Sequence, residues 1–154
     1  MLVIHWARQN KTSAILANGI RPAARKGGAS GAAINSKGVY VYPFSRNKTL
    51  IGNWRRNLKT WDNSLGNYNG FVFRLEPEDF PLLAGLWWGI RMDTEYARVA
   101  SMPEMAERCG DHFSGAIADK ASPDRWKEFE IIVPRHVDRR RIIKVIRDRE
   151  PRLK

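Results

Sequence analysis

The chain has 154 residues, 43% of them hydrophobic, and carries 27 Lys and Arg against 16 Asp and Glu, a net charge of +11. That length suits one domain with a real core, no apolar run has transmembrane length, and the single Cys109 excludes an internal disulfide or a cysteine metal cluster. The excess charge favours a polyanionic partner, nucleic acid ahead of an anionic membrane. Its densest clusters are Arg55-Arg56, Arg139-Arg140-Arg141 and Arg147 to Lys154. Met1 to Trp6 lacks the charged start and long apolar stretch of a signal peptide, so the expected location is the cytoplasm.

Leu2 to Trp6 reads as a short buried strand that carries His5. Thr12-Ser13 is expected to cap a helix through Ala17, which Asn18-Gly19 ends in a left-handed turn. Ile20-Arg21-Pro22 resumes extended chain, and Arg25 to Gly31, rich in Gly, Ser and Ala, reads as a surface loop. Gly38 to Phe44 reads as a strand whose alternation sets Tyr40 and Tyr42 on one face and Val39 and Val41 on the other. Ser45-Arg46-Asn47 leads into a helix from about Thr49 to Trp61, with Leu50, Ile51, Trp54 and Leu58 at helical spacing. A turn at Gly66 to Gly70 precedes a strand from Phe71 to Leu75. Pro77 to Trp88 reads as a short helix or turn followed by a strand. Pro103 to Cys109 reads as a short helix ended by Gly110. Arg139 to Ile146 fits a helix or an extended segment. Short strands mixed with a few helices, and no repeat or boundary, predict a single α+β domain over residues 1–154.

The stretch from Trp126 to Pro134 is the most unusual. It reads as a strand in which Glu128 and Glu130 share a face, roughly 6–7 Å apart along the chain. Phe129, Ile131 and Val133 take the other face. Neighbouring carboxylates repel, and an acid beside a core must be desolvated or hydrogen-bonded. Two readings follow: an edge strand whose acids sit in water, or a carboxylate pair at the rim of a cleft. The chain has no phosphate-binding loop ending in Lys-Ser/Thr, no His-Glu-x-x-His and no nucleophile elbow. With only His5, His112, His136 and one cysteine, no metal site is expected.

Glu128-Phe129-Glu130 followed by Ile131-Ile132-Val133-Pro134 resembles the catalytic strand of mono-ADP-ribosyltransferases. Val3-Ile4-His5-Trp6, a helix, and Asn18-Gly19-Ile20 are similar to the opening of that superfamily's histidine-bearing branch, and Tyr40 and Tyr42 fall where that branch places nicotinamide-stacking tyrosines. Within the branch, these segments and Pro43-Phe44-Ser45-Arg46-Asn47 resemble the DarT-type toxins that ADP-ribosylate DNA bases. The likeness covers residues 2–20, 38–50 and 126–146; residues 51–125 match nothing familiar, and the chain is shorter than those toxins.

The resemblance implies small mixed sheets around a cleft, NAD as co-substrate and a nucleic-acid acceptor, DNA or RNA. It also implies a toxin or defence role, with an antitoxin or immunity protein as a further partner. By the same resemblance Glu130 stabilises the cationic ribose and Glu128 handles the acceptor. Arg46 pairs with the pyrophosphate or the target nucleotide. His5 binds the adenosine ribose, Asn18, Gly19 and Ser45 lie in the NAD-binding segments, and Tyr40 or Tyr42 stacks on nicotinamide. Taken singly, the same residues also read as a core histidine, ordinary strand tyrosines and an arginine at a strand end. Two other functions stay open: an RNA 2′-phosphotransferase, which has no need of the acid pair, and a non-catalytic basic module that binds nucleic acid.

Overall fold

A computed structural model describes residues 1–23, 37–44, 67–86, 96–109 and 129–148. Seven strands form one sheet: β1 (Leu2–Arg8), β2 (Val39–Pro43), β3 (Tyr68–Arg74), β4 (Leu82–Leu86), β5 (Tyr96–Val99), β6 (Phe129–Val133) and β7 (Ile142–Ile146). Their order is β5-β4-β6-β2-β1-β3-β7, and every neighbouring pair is antiparallel. Two helices are described, α1 (Thr12–Asn18) and α2 (Met102–Cys109). The fold is therefore mixed α+β and dominated by the sheet. No helix among the described residues is long and apolar enough to cross a membrane.

Alternation along the strands gives the sheet two apolar faces. Val3, Val39, Val41, Phe71, Phe73, Ile131 and Val133 form the larger core, joined by Ile15 of α1 and Met105 of α2. Ile4, Trp6, Tyr42, Tyr68 and Val72 cluster on the opposite face. Each such side chain contributes about 1.5–3 kcal/mol when fully buried, so the two clusters together dominate the favourable side of folding.

Several local expectations are corrected. Thr12 does not cap α1; the cap position is Lys11, which offers no side-chain bond. Thr12 is the first helical residue, and its hydroxyl accepts from Asn69 Nδ2 at 2.9 Å, a tertiary partner that outcompetes the local cap. Tyr68 to Gly70 is strand rather than turn. Gly70 lies opposite Trp6 on one side and Ile146 on the other, so its missing side chain gives room to packed neighbours instead of bending the chain. The strand that carries Glu130 runs between β2 and β4, not along an edge, which removes the reading of its acid as a water-solvated edge residue.

The Arg139-Arg140-Arg141 run is split by the fold. It forms a 3-10 turn in which the Arg140 N–H donates to the Asp138 side chain, then passes into β7. Arg140 folds back on Asp138 in solvent at 3.0 Å and holds that exposed carboxyl down to about 2. Arg141 turns inward. It grips buried Asp79 with two bonds of 2.8 and 2.6 Å, donates to the Arg74 carbonyl at 2.8 Å and lies 5.4 Å from the Phe73 ring centre. The hydrogen bond to Asp79 raises the Arg141 pKa above its ordinary value, against the lowering effect of burial. Arg135 donates to the Glu78 and Phe80 carbonyls at 2.6 and 3.0 Å. Two arginines from the C-terminal segment thus fix the Pro77–Asp79 turn between β3 and β4.

Candidate functional site

The seam between β1 and β2 organises the site. All seven residues of β1 pair with β3, but only Val3 and Ile4 pair with β2, opposite Pro43 and Tyr42. Beyond Ile4 the registered pairing stops. There the His5 side chain takes over: its Nδ1 lies 2.8 Å from the Tyr40 carbonyl oxygen. A carbonyl can only accept, so Nδ1 carries the proton and Nε2 is left with a lone pair. An imidazole therefore bridges the point where the two strands part.

His5 lines a cavity of about 480 Å³ between β1, α1 and the segment that follows α1, with Asn18 and Gly19 also in its wall. That volume lies within the ~300–1,000 Å³ typical of small-molecule sites. Gly19 is indispensable to the wall. Its φ of 80° is one that side-chain-bearing residues rarely adopt, and a Cβ there would strike the Val137 carbonyl oxygen and come within 2.8 Å of His136 Nε2. Ile20 and Val137 exchange backbone bonds of 2.8 and 2.9 Å, Ala23 and Gly38 bonds of 3.0 and 3.1 Å. The wall segment is therefore pinned at both ends, to the chain after β6 and to the start of β2.

Burial pushes the His5 pKa below its ordinary 6.5, partly offset by the bond to Tyr40, which raises it. The native state then holds this proton less readily than the unfolded chain. The stability contribution is complete above the unfolded value of 6.5 and declines as pH falls through it toward the lower native value. Melting temperature measured between about pH 7.5 and 5 should fall with acidification, and His5→Gln should flatten that part of the curve. An unchanged slope in the variant would assign the pH dependence to other groups.

Glu130 and Tyr42 form the second element. Glu130 is 0% exposed, and the Tyr42 hydroxyl donates to its Oε2. Tyr42 is also buried. The pair is set up by register: Val41 lies opposite Ile131, so the next residues along, Tyr42 and Glu130, meet across the same ladder. On the other side Glu130 lies opposite Gly85, which contributes no side chain. A carboxylate buried among strands carries a desolvation cost, and the phenol offsets part of it.

The sequence-predicted residues thus divide into two groups. His5, Asn18 and Gly19 meet at the cavity. Tyr42 and Glu130 meet on β2 and β6. Strand alternation sets them on opposite faces: His5 follows Val3 and the larger core, whereas Glu130 follows Ile132 and Tyr42. The two groups do not share one sheet face, and Tyr42 lies at the end of the seam that is still paired, opposite Ile4. Tyr40, half-buried, supplies its carbonyl to His5. Ser45, Arg46 and Glu128 lie outside the described residues, as do the expected helix from Thr49 to Trp61 and the Arg25 to Gly31 loop.

Sequence reasoning missed three participants. Lys11 and Arg21 line the cavity beside His5. His136 donates from Nε2 to the Asn18 carbonyl at 2.7 Å and so ties the end of α1 to the chain after β6. Lys11 and Arg21 bracket α1, a signal visible only as two cations about ten residues apart around a short helix. Comparison of the chain with protein-family models, with curated proteins and with solved structures finds no match in any of the three.

Proposed function

We propose that this chain is an NAD-dependent ADP-ribosyltransferase whose acceptor is a nucleic acid. The observation that carries the reading is the parted β1–β2 seam, with a neutral His5 beside a ligand-sized cavity on one side and the buried Tyr42–Glu130 pair on the other. The proposal requires the seam to open, so that a dinucleotide held in the His5 cavity reaches the buried Glu130. His5 Nε2 would accept from a ribose hydroxyl, and Glu130 would face the ribose that reacts.

In this reading the bond from the nicotinamide-side ribose C1′ to nicotinamide breaks, and its electron pair leaves with nicotinamide. The sugar becomes oxocarbenium-like, as in glycoside cleavage. The Glu130 carboxylate stabilises that positive charge. An acceptor nucleophile attacks C1′, and Glu128 takes its proton. Arg46 holds a phosphate of either substrate. The net charge of +11 supports a nucleic-acid acceptor through counterion release. A transferase acting on the DNA or RNA of its own cytoplasm is a toxin or defence effector, and an antitoxin or immunity protein would restrain it.

The test is incubation with NAD labelled in its adenylate, against separate pools of DNA, RNA and protein. Label should appear in DNA or RNA and require NAD. Label confined to protein would move the acceptor class. No label and no NAD consumption in any pool would leave a basic nucleic-acid-binding module in its place.

A further inference from the structure

On the C-terminal segment three arginines are engaged: Arg140 with Asp138, Arg141 with Asp79, Arg135 with two carbonyls. The cavity beside His5 differs. Lys11 and Arg21 both line it, both are exposed, and neither has a hydrogen-bond or ion-pair partner among the described residues. Among the described residues its lining contains no Asp or Glu. Two cations facing a cavity without an acid favour an anion there. Apart from Asn18 and Gly19 the rest of the described wall is aliphatic, with Ala14, Ile15 and Ile20 among its residues, and His5 Nε2 offers a hydrogen-bond acceptor. The complementary ligand has three parts: an apolar group, a hydroxyl donor and an anionic tail.

We infer that Lys11 and Arg21 are the phosphate-binding residues of this cavity, and that it takes a nucleoside diphosphate. The assignment rests on the transferase reading for the identity of the full dinucleotide, of which that group is one half. It places the pyrophosphate on residues flanking α1, in addition to any contact from Arg46. A lysine supplies a point charge, and an arginine supplies a planar fork that matches two phosphate oxygens.

The experiment is calorimetric titration of the whole chain with ADP, adenosine and NAD, at low and high salt. Wild type should bind ADP more tightly than adenosine, and the difference should shrink as salt rises. Lys11→Ala and Arg21→Ala should each weaken ADP and NAD by about tenfold, the scale of one charge-assisted hydrogen bond. The double variant should bind ADP no better than adenosine, while adenosine binding stays unchanged. Both side chains are exposed, so folding is not at stake, and Lys11→Arg should restore most of the affinity. ADP binding that is no tighter than adenosine binding, or that survives the double variant, overturns the assignment. If NAD consumption persists in that case, the transferase reading stands without it. If ADP binding follows Lys11 and Arg21 but NAD labels no acceptor, the transferase reading falls and the diphosphate site remains.

Discussion

Glu130→Gln should lower both ADP-ribosyl transfer and NAD hydrolysis by about 10²–10³, the usual scale for removing one electrostatic group aimed at a transition state. The substitution keeps the size of the side chain and a carbonyl oxygen that can accept from the Tyr42 hydroxyl, so the fold should survive. Circular dichroism and a melting curve would verify that before rates are compared. Glu128→Gln should behave differently. If Glu128 serves the acceptor, its loss impairs transfer but leaves slow hydrolysis, because water can still capture the sugar cation. Full activity in Glu130→Gln would void its role. Greater damage to hydrolysis from Glu128→Gln would exchange the two assignments.

Arg141→Ala should cost about 3–5 kcal/mol of unfolding free energy, the range for breaking a buried ion pair from one side. Asp79 has 2% of its side chain exposed against 20% for Arg141, so the abandoned carboxylate could not turn to water. The Arg74 carbonyl and the Phe73 ring would lose their partner in the same step. Urea denaturation of the purified variant measures the effect. Replacing the pair together, Arg141→Met with Asp79→Leu, should recover much of the loss, because no uncompensated charge remains buried. A single variant within about 1 kcal/mol of wild type would show that water or a rearranged neighbour satisfies Asp79.

The parts of this fold that were legible in the sequence are those governed by local pattern. Val39 to Pro43 alternates cleanly, and it is a strand with its valines in the larger core. Asn18-Gly19 ends α1 where a glycine was required, although the reason is the close passage of residues 136–139 rather than turn preference alone. Glu130 was conspicuous as an acid set into an aliphatic run, but its full burial against a hydroxyl was not foreseen. Sheet order was not legible. Nothing local says that β6 lies between β2 and β4, or that Arg141 would turn inward to Asp79 while Arg140 pairs with Asp138. The seam was equally hidden, since it depends on which residues of β1 find a partner on each side. Thr12 looked like a cap because Asn69, its true partner, is remote in sequence.

The wall of the cavity carries a consequence for how the chain acquires its site. Asn18 and His136 are 118 residues apart, yet their bond and the adjoining Ile20–Val137 bridge hold one side of the binding space. Closing so long a loop demands entropy that only later contacts repay. The site should therefore mature late. A nascent chain that has not yet released residue 137 can form the β1–β3 ladder but not the enclosure beside it. In native-state hydrogen exchange, the amides of Ile20 and Val137 should lose protection before those of the β1–β3 ladder, because the bridge can open while the sheet stays whole. A product truncated before residue 136 would then lack the wall of the cavity, and with it the proposed nucleotide binding, while keeping the β1–β3 ladder.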